Sequence, residues 1–92
     1  IKDTVTNLNM NSNRLSGDFI KHLVENNTRL TTLSLSGNKG FGDSIEMLST
    51  HQPLCTLLLS DTDMTATNAM KLLESQIITR LDISFNLFDQ DT

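Results

Sequence analysis

Residues Leu30 to Asn38 read LTTLSLSGN, and the fold turns on the spacing of three leucines, Leu30, Leu33 and Leu35, ahead of Asn38. The same spacing recurs earlier as Val5, Leu8, Met10 and Asn13. It recurs later as Leu54, Leu57, Leu59 and Thr62, and again as Ile78, Leu81, Ile83 and Asn86. The starts of these registers lie 25, 24 and 24 residues apart. So regular a period marks a stack of similar units, none of which can bury its own apolar face alone.

Within each register apolar and polar residues alternate, as in Leu33, Ser34, Leu35 and Ser36, which predicts a short strand with one buried face. A polar turn then leads to Leu15, Phe41, Met64 or Phe88, after which the spacing becomes helical. Leu15, Phe19, Ile20, Leu23 and Val24 follow at helical steps, as do Phe41, Ile45 and Leu48, and Met64, Ala69, Leu72 and Leu73. Each unit therefore reads as strand, turn, helix and return loop. Ser16 or Asp18, Asp43 or Ser44, and Thr65 or Thr67 offer side-chain oxygens to cap the three helices. Pro53 cannot continue a helix and marks the return before Leu54.

Charge and composition exclude several functions. The formal charge of −4 would repel a phosphate backbone, and the absence of tryptophan and tyrosine removes stacking platforms, so nucleic acid is not an expected partner. No apolar run approaches the roughly 20 residues that cross a bilayer, so no membrane association is expected. The single cysteine, Cys55, rules out an internal disulfide.

The segments LTTLSLSGN, LCTLLLSDT, ITRLDISFN and the more divergent VTNLNMNSN resemble the leucine-rich repeat superfamily. The helical halves in NRLSGDFIKHL and NKGFGDSIEML are most similar to its ribonuclease-inhibitor-like class, in a short-repeat form found in bacterial effector proteins and the sensor regions of innate immune receptors. This resemblance implies an α/β solenoid, with short parallel strands on a concave face and short α-helices on a convex one. It also implies a protein-interaction module that binds a partner through the concave face. The alternative is the substrate-recognition arm of a larger enzyme or effector whose catalytic domain lies outside this chain. Residues 1–92 are expected to form a single array of about three and a half repeats, a fragment of a longer one. Without polar caps, its ends are expected to be covered by another molecule or to associate end to end, with Val5, Met10, Ile83 and Phe88 at risk of exposure.

Asn13, Asn38 and Asn86 fall where the chain leaves each strand, and their amides can bond to main-chain groups of adjacent units as an internal ladder. Thr62 takes that position in the third unit, where its shorter side chain predicts a weaker or water-assisted link. Residues between the buried leucines form the open sheet face. Its first half, with Asn7, Asn9, Thr32 and Ser34, is small and neutral. Its second half carries Leu58, Asp61, Arg80, Asp82 and Phe85, an apolar centre with an arginine and an aromatic, the composition of an interface anchor. The competing reading has Arg80 and Asp82 screening each other while Phe85 packs away.

No catalytic constellation is expected, and no metal or cofactor. His51 and Cys55 flank Pro53 with no third group to orient the imidazole. Asp61 and Asp63 could open a calcium loop, but Ala66 stands where its glycine belongs and Leu72 where its glutamate belongs. Gly37, Gly40 and Gly42 fit no phosphate-binding pattern and mark a one-residue insertion in the second turn. Asn26, Asn27 and Thr28 form a glycosylation sequon at a return loop. Lys21, Glu25, Glu46, Lys71 and Glu74 are expected to solvate the outer helical side.

Overall fold

The structure is a computed structural model that describes residues 4–88; residues 1–3 and 89–92 of the expected array lie outside the described residues. The fold is α/β. Four strands, β1 (Asn7–Asn9), β2 (Thr32–Ser34), β3 (Thr56–Leu58) and β4 (Arg80–Asp82), form one parallel sheet in chain order. Helical segments cross between them: α1 (Gly17–Asn26), a 3-10 helix (Gly42–Thr50) and α2 (Ala66–Leu73).

The sequence period sets the register. Leu8 pairs with Leu33, Leu33 with Leu57 and Leu57 with Leu81, so each leucine stands beside its counterpart one unit away. A slip by one residue would turn every leucine to the open face. The core fills the space between sheet and helical layer. Leu33, Leu35, Leu57 and Leu59 from the strand side meet Ile20, Leu23, Ile45, Leu48 and Leu72 from the helical side, all fully or almost fully buried. At the flanks Val5, Leu8, Met10, Leu81 and Ile83 are only half-buried against this core, and Phe88 is exposed.

The second helical segment departs from expectation, being a 3-10 helix where an α-helix was read. Fifteen residues separate Leu15 from Leu30 and fourteen separate Met64 from Ile78, but only thirteen separate Phe41 from Leu54. The residue inserted in the turn is taken from the crossing that follows. A 3-10 helix climbs about 2.0 Å per residue against about 1.5 Å in an α-helix, so it spans the same crossing with fewer residues. Its buried residues, Ile45 and Leu48, are three apart, which matches a three-residue turn. Gly42, at φ +56°, begins it in a conformation that suits glycine.

The caps differ as well. Thr65 forms a full capping box with Asn68, each side chain bonding the other's main-chain amide at 3.2 Å. Ser16 occupies the capping position of α1 without a side-chain bond, and Phe41, rather than Asp43 or Ser44, precedes the 3-10 helix.

Candidate functional site

The turn after each strand positions the residues of interest. Ser12, Gly37, Asp61 and Phe85 occupy the same place in successive units, and all four have left-handed backbone, with φ of 56°, 80°, 55° and 57°. The chain thus bends the same way four times while the side chain at the bend changes from small to charged to aromatic.

Behind this bend lie the ladder residues. Asn38 is fully buried. Its Oδ1 accepts the main-chain N–H groups of Asn13 and Leu15, each at 2.9 Å, and its Nδ2 donates to the carbonyls of Met10 and Leu35, each at 2.9 Å. Asn86 repeats the pattern one gap further on. It accepts from the N–H groups of Thr62 and Met64 at 2.9 and 2.8 Å, and donates to Leu59 and Ile83. Thr62 instead bonds the carbonyl of Leu59 in its own turn and reaches Asn86; it makes no bond to the second unit among the described residues. Asn13 is exposed and donates only to Asn11 within its own turn, so it forms no rung. Two rungs, Asn38 and Asn86, therefore stand where four were laid out in sequence.

The open sheet face is graded. In its first half Asn11 Oδ1 accepts the Ser34 hydroxyl at 2.7 Å and the Ser36 amide at 2.8 Å, which leaves Ser34 buried instead of exposed. In its second half Leu58 and Asp82 are paired neighbours, as are Thr56 and Arg80. Leu58 is half-buried, while Asp61, Arg80 and Asp82 are exposed and Phe85 is 86% exposed. The Asp61 amide bonds the carbonyl of Ser84, which brings the Asp61 and Phe85 bends side by side.

Electrostatics separate these residues. Among the described residues the ion pair is Lys39 with Asp61, at 3.4 Å, linking the second and third turns, and no described carboxylate lies within ion-pair distance of Arg80. The Asp82 carboxylate accepts the main-chain N–H of Ser84 at 3.0 Å and its hydroxyl at 2.8 Å. These two bonds, the amide foremost, hold its pKa below the ordinary value; slight desolvation opposes them and the Arg80 charge adds to them. Arg80 and Asp82 thus do not neutralise one another by contact, and Phe85 does not pack away.

Several contacts escaped the sequence reading. Lys39, the partner of Asp61, sits inside the inserted turn, whose extra residue was its only signal. Asn68, buried in α2, donates to Asp43 at 2.9 Å and to Glu46 at 2.7 Å, so Glu46 bridges two helical segments and is half-buried rather than simply solvated. His51 and Cys55 point to separate partners one unit back: His51 Nε2 lies 2.7 Å from the Asn27 carbonyl, and Cys55 Sγ lies 3.7 Å from that of Thr31. No group of three metal-ligating side chains occurs among the described residues, and no helix there is long and apolar enough to cross a membrane.

Comparison with known proteins gives no matching family model, no matching curated protein and no matching solved structure. The functional reading rests on geometry.

Proposed function

We propose that this chain is a leucine-rich-repeat solenoid acting as a protein-interaction module, with Leu58, Asp61, Arg80, Asp82 and Phe85 as the centre of its contact surface. The repeat reading draws support from strands paired in register one period apart, from two asparagine rungs and from four equivalent left-handed bends. The observation that carries the binding reading is Phe85: a large aromatic held 86% exposed in the turn after the strand that carries Arg80, an exposed arginine in no ion pair among the described residues. Aromatic and arginine side chains are enriched at interface centres, the aromatics because they bury large areas with few rotatable bonds and arginine because its planar guanidinium both stacks and hydrogen-bonds.

The test is a paired capture experiment. Wild-type chain and an Arg80→Ala/Phe85→Ala chain, immobilised at equal density, are exposed to extract from the source cells. The expected result is a protein retained by the wild type and lost by the variant. Retention of the same proteins at the same yield by both chains would refute the patch.

A further inference from the structure

We infer that the cavity between the first and second turns binds a small organic oxyanion, a carboxylate or phosphate group carried on an apolar body. This goes beyond the sheet-face reading and does not depend on it.

The cavity sits against the longer second turn. One residue, Arg14, stands between Asn13 and Leu15, and one, Asp63, between Thr62 and Met64, but two, Lys39 and Gly40, stand between Asn38 and Phe41. A space of about 340 Å³ lies in the gap between the first and second units, lined by Arg14, Leu15, Ser16, Gly37, Lys39 and Gly40. That volume falls in the range of small-molecule sites, about 300 to 1,000 Å³. Gly37 stands where the third unit has Asp61, so no side chain projects from that bend into the gap. A Cβ on Gly40 would come within 3.1 Å of the Leu15 carbonyl, so the two turns meet there at backbone distance.

The charge on the wall has one sign. Arg14 is exposed and enters no ion pair among the described residues, Lys39 is the second cation, and no carboxylate belongs to the lining. A cleft lined by charge of one sign concentrates ions of the other. The Arg14 guanidinium offers N–H groups in the planar fork that oxyanions accept, and the Ser16 hydroxyl, which makes no capping bond in α1, is a third donor. Between these groups the wall is half-buried Leu15 and the backbone of Gly37 and Gly40, a floor that an apolar body covers and a bare inorganic anion does not. Lys39 also pairs with Asp61 at 3.4 Å, with both side chains more than half exposed. So exposed a pair is weak, and an anion seated in the cavity competes with Asp61 for the ammonium.

Amide NMR of the 92-residue chain, titrated separately with phenyl phosphate, benzoate, inorganic phosphate and benzyl alcohol, tests this. The expected result is saturable shifts in the millimolar range at Ser16, Gly37, Lys39 and Gly40 with phenyl phosphate or benzoate, the tighter of the two assigning the group. Inorganic phosphate and benzyl alcohol, each lacking one half of the ligand, are expected to bind more weakly. Arg14→Gln is expected to weaken binding about tenfold, the loss of one charge-assisted bond. Asp61→Asn frees Lys39 with a residue that tolerates the left-handed bend, and is expected to strengthen binding about threefold. Lys71→Gln removes the same charge outside the cavity and is expected to leave affinity unchanged. All three positions are exposed, and unchanged amide shifts away from each substitution report an intact fold. Shifts that do not saturate, benzyl alcohol or inorganic phosphate binding as tightly as the organic anions, or unchanged affinity in Arg14→Gln or Asp61→Asn would each overturn the proposal. So would a loss in Lys71→Gln as large as that in Arg14→Gln.

Discussion

Asn38 reaches back across one strand spacing to hold the main-chain amide of Asn13 at 2.9 Å, and does so from complete burial. Removing that side chain leaves the amides of Asn13 and Leu15 and the carbonyls of Met10 and Leu35 without their partner. Unsatisfied buried groups cost roughly 1 to 3 kcal/mol each, and some of these lie near enough to water to recover part, so Asn38→Ala should destabilise by about 3 kcal/mol. Thr62→Ala, which loses one bond within its own turn and a contact to Asn86, should cost about 1 kcal/mol. Urea unfolding of both variants checks the contrast.

Capping chemistry is unequal between the two α-helices. Thr65→Ala removes the side-chain half of a capping box and should cost about 1 kcal/mol. Ser16→Ala removes no side-chain bond and should change stability by no more than about 0.3 kcal/mol. Thermal unfolding of the pair separates the two, and equal losses would mean that Ser16 caps α1 after all.

Asp82 should titrate below the usual carboxylate range, as followed by its side-chain carboxyl carbon in NMR. A depressed folded pKa contributes stability above the unfolded value, about 3.9, and that contribution disappears as pH falls through the lower, folded value. Ser84→Ala deletes the hydroxyl bond and keeps the amide bond, which is the larger cause. Its expected effect is an upward shift of the Asp82 midpoint that stops short of the unperturbed value.

Under the proposed function, Phe85 sets stability against recognition. Its φ of 57° is a conformation that a bulky residue adopts at a cost of about 1 to 2 kcal/mol, and its 86% exposure returns little burial energy. Asparagine tolerates this region far better. Phe85→Asn should therefore stabilise the chain by about 0.5 to 1 kcal/mol while weakening capture of the partner. Loss of stability in this variant would show that the ring packs in solution.

The register of the sheet was legible because leucine spacing and strand pairing share one period: Leu33 lies beside Leu57 as counting requires. The exposure of Asp61, Arg80, Asp82 and Phe85 was legible on the same ground, since the leucine spacing leaves those positions outside the core. The 3-10 helix was not, because Ile45 and Leu48 at three-residue spacing fit either helix type; what decides is the shortened crossing after the insertion. Burial of Ser34 was also hidden. It depends on Asn11 reaching over from the neighbouring unit, a contact with no periodic signal. Asn13 fits the ladder template but has no earlier unit among the described residues to hold.

The short side chain of Thr62 faces the gap between the second and third units and leaves it without an asparagine-type rung among the described residues. Along that gap the turn side is joined by the Gly37 amide on the Ser60 carbonyl at 3.0 Å, by the Ser60 amide on the Ser36 hydroxyl at 3.1 Å, and by the exposed Lys39–Asp61 pair, worth roughly 0 to 1 kcal/mol. The helical side is clamped by Asn68 on Asp43 and Glu46, and by the Ser75 hydroxyl on the Ser49 carbonyl at 2.6 Å. The missing asparagine rung is thus offset by side-chain bonds on the helical side, so the join between the second and third units leans on Asn68 and Ser75.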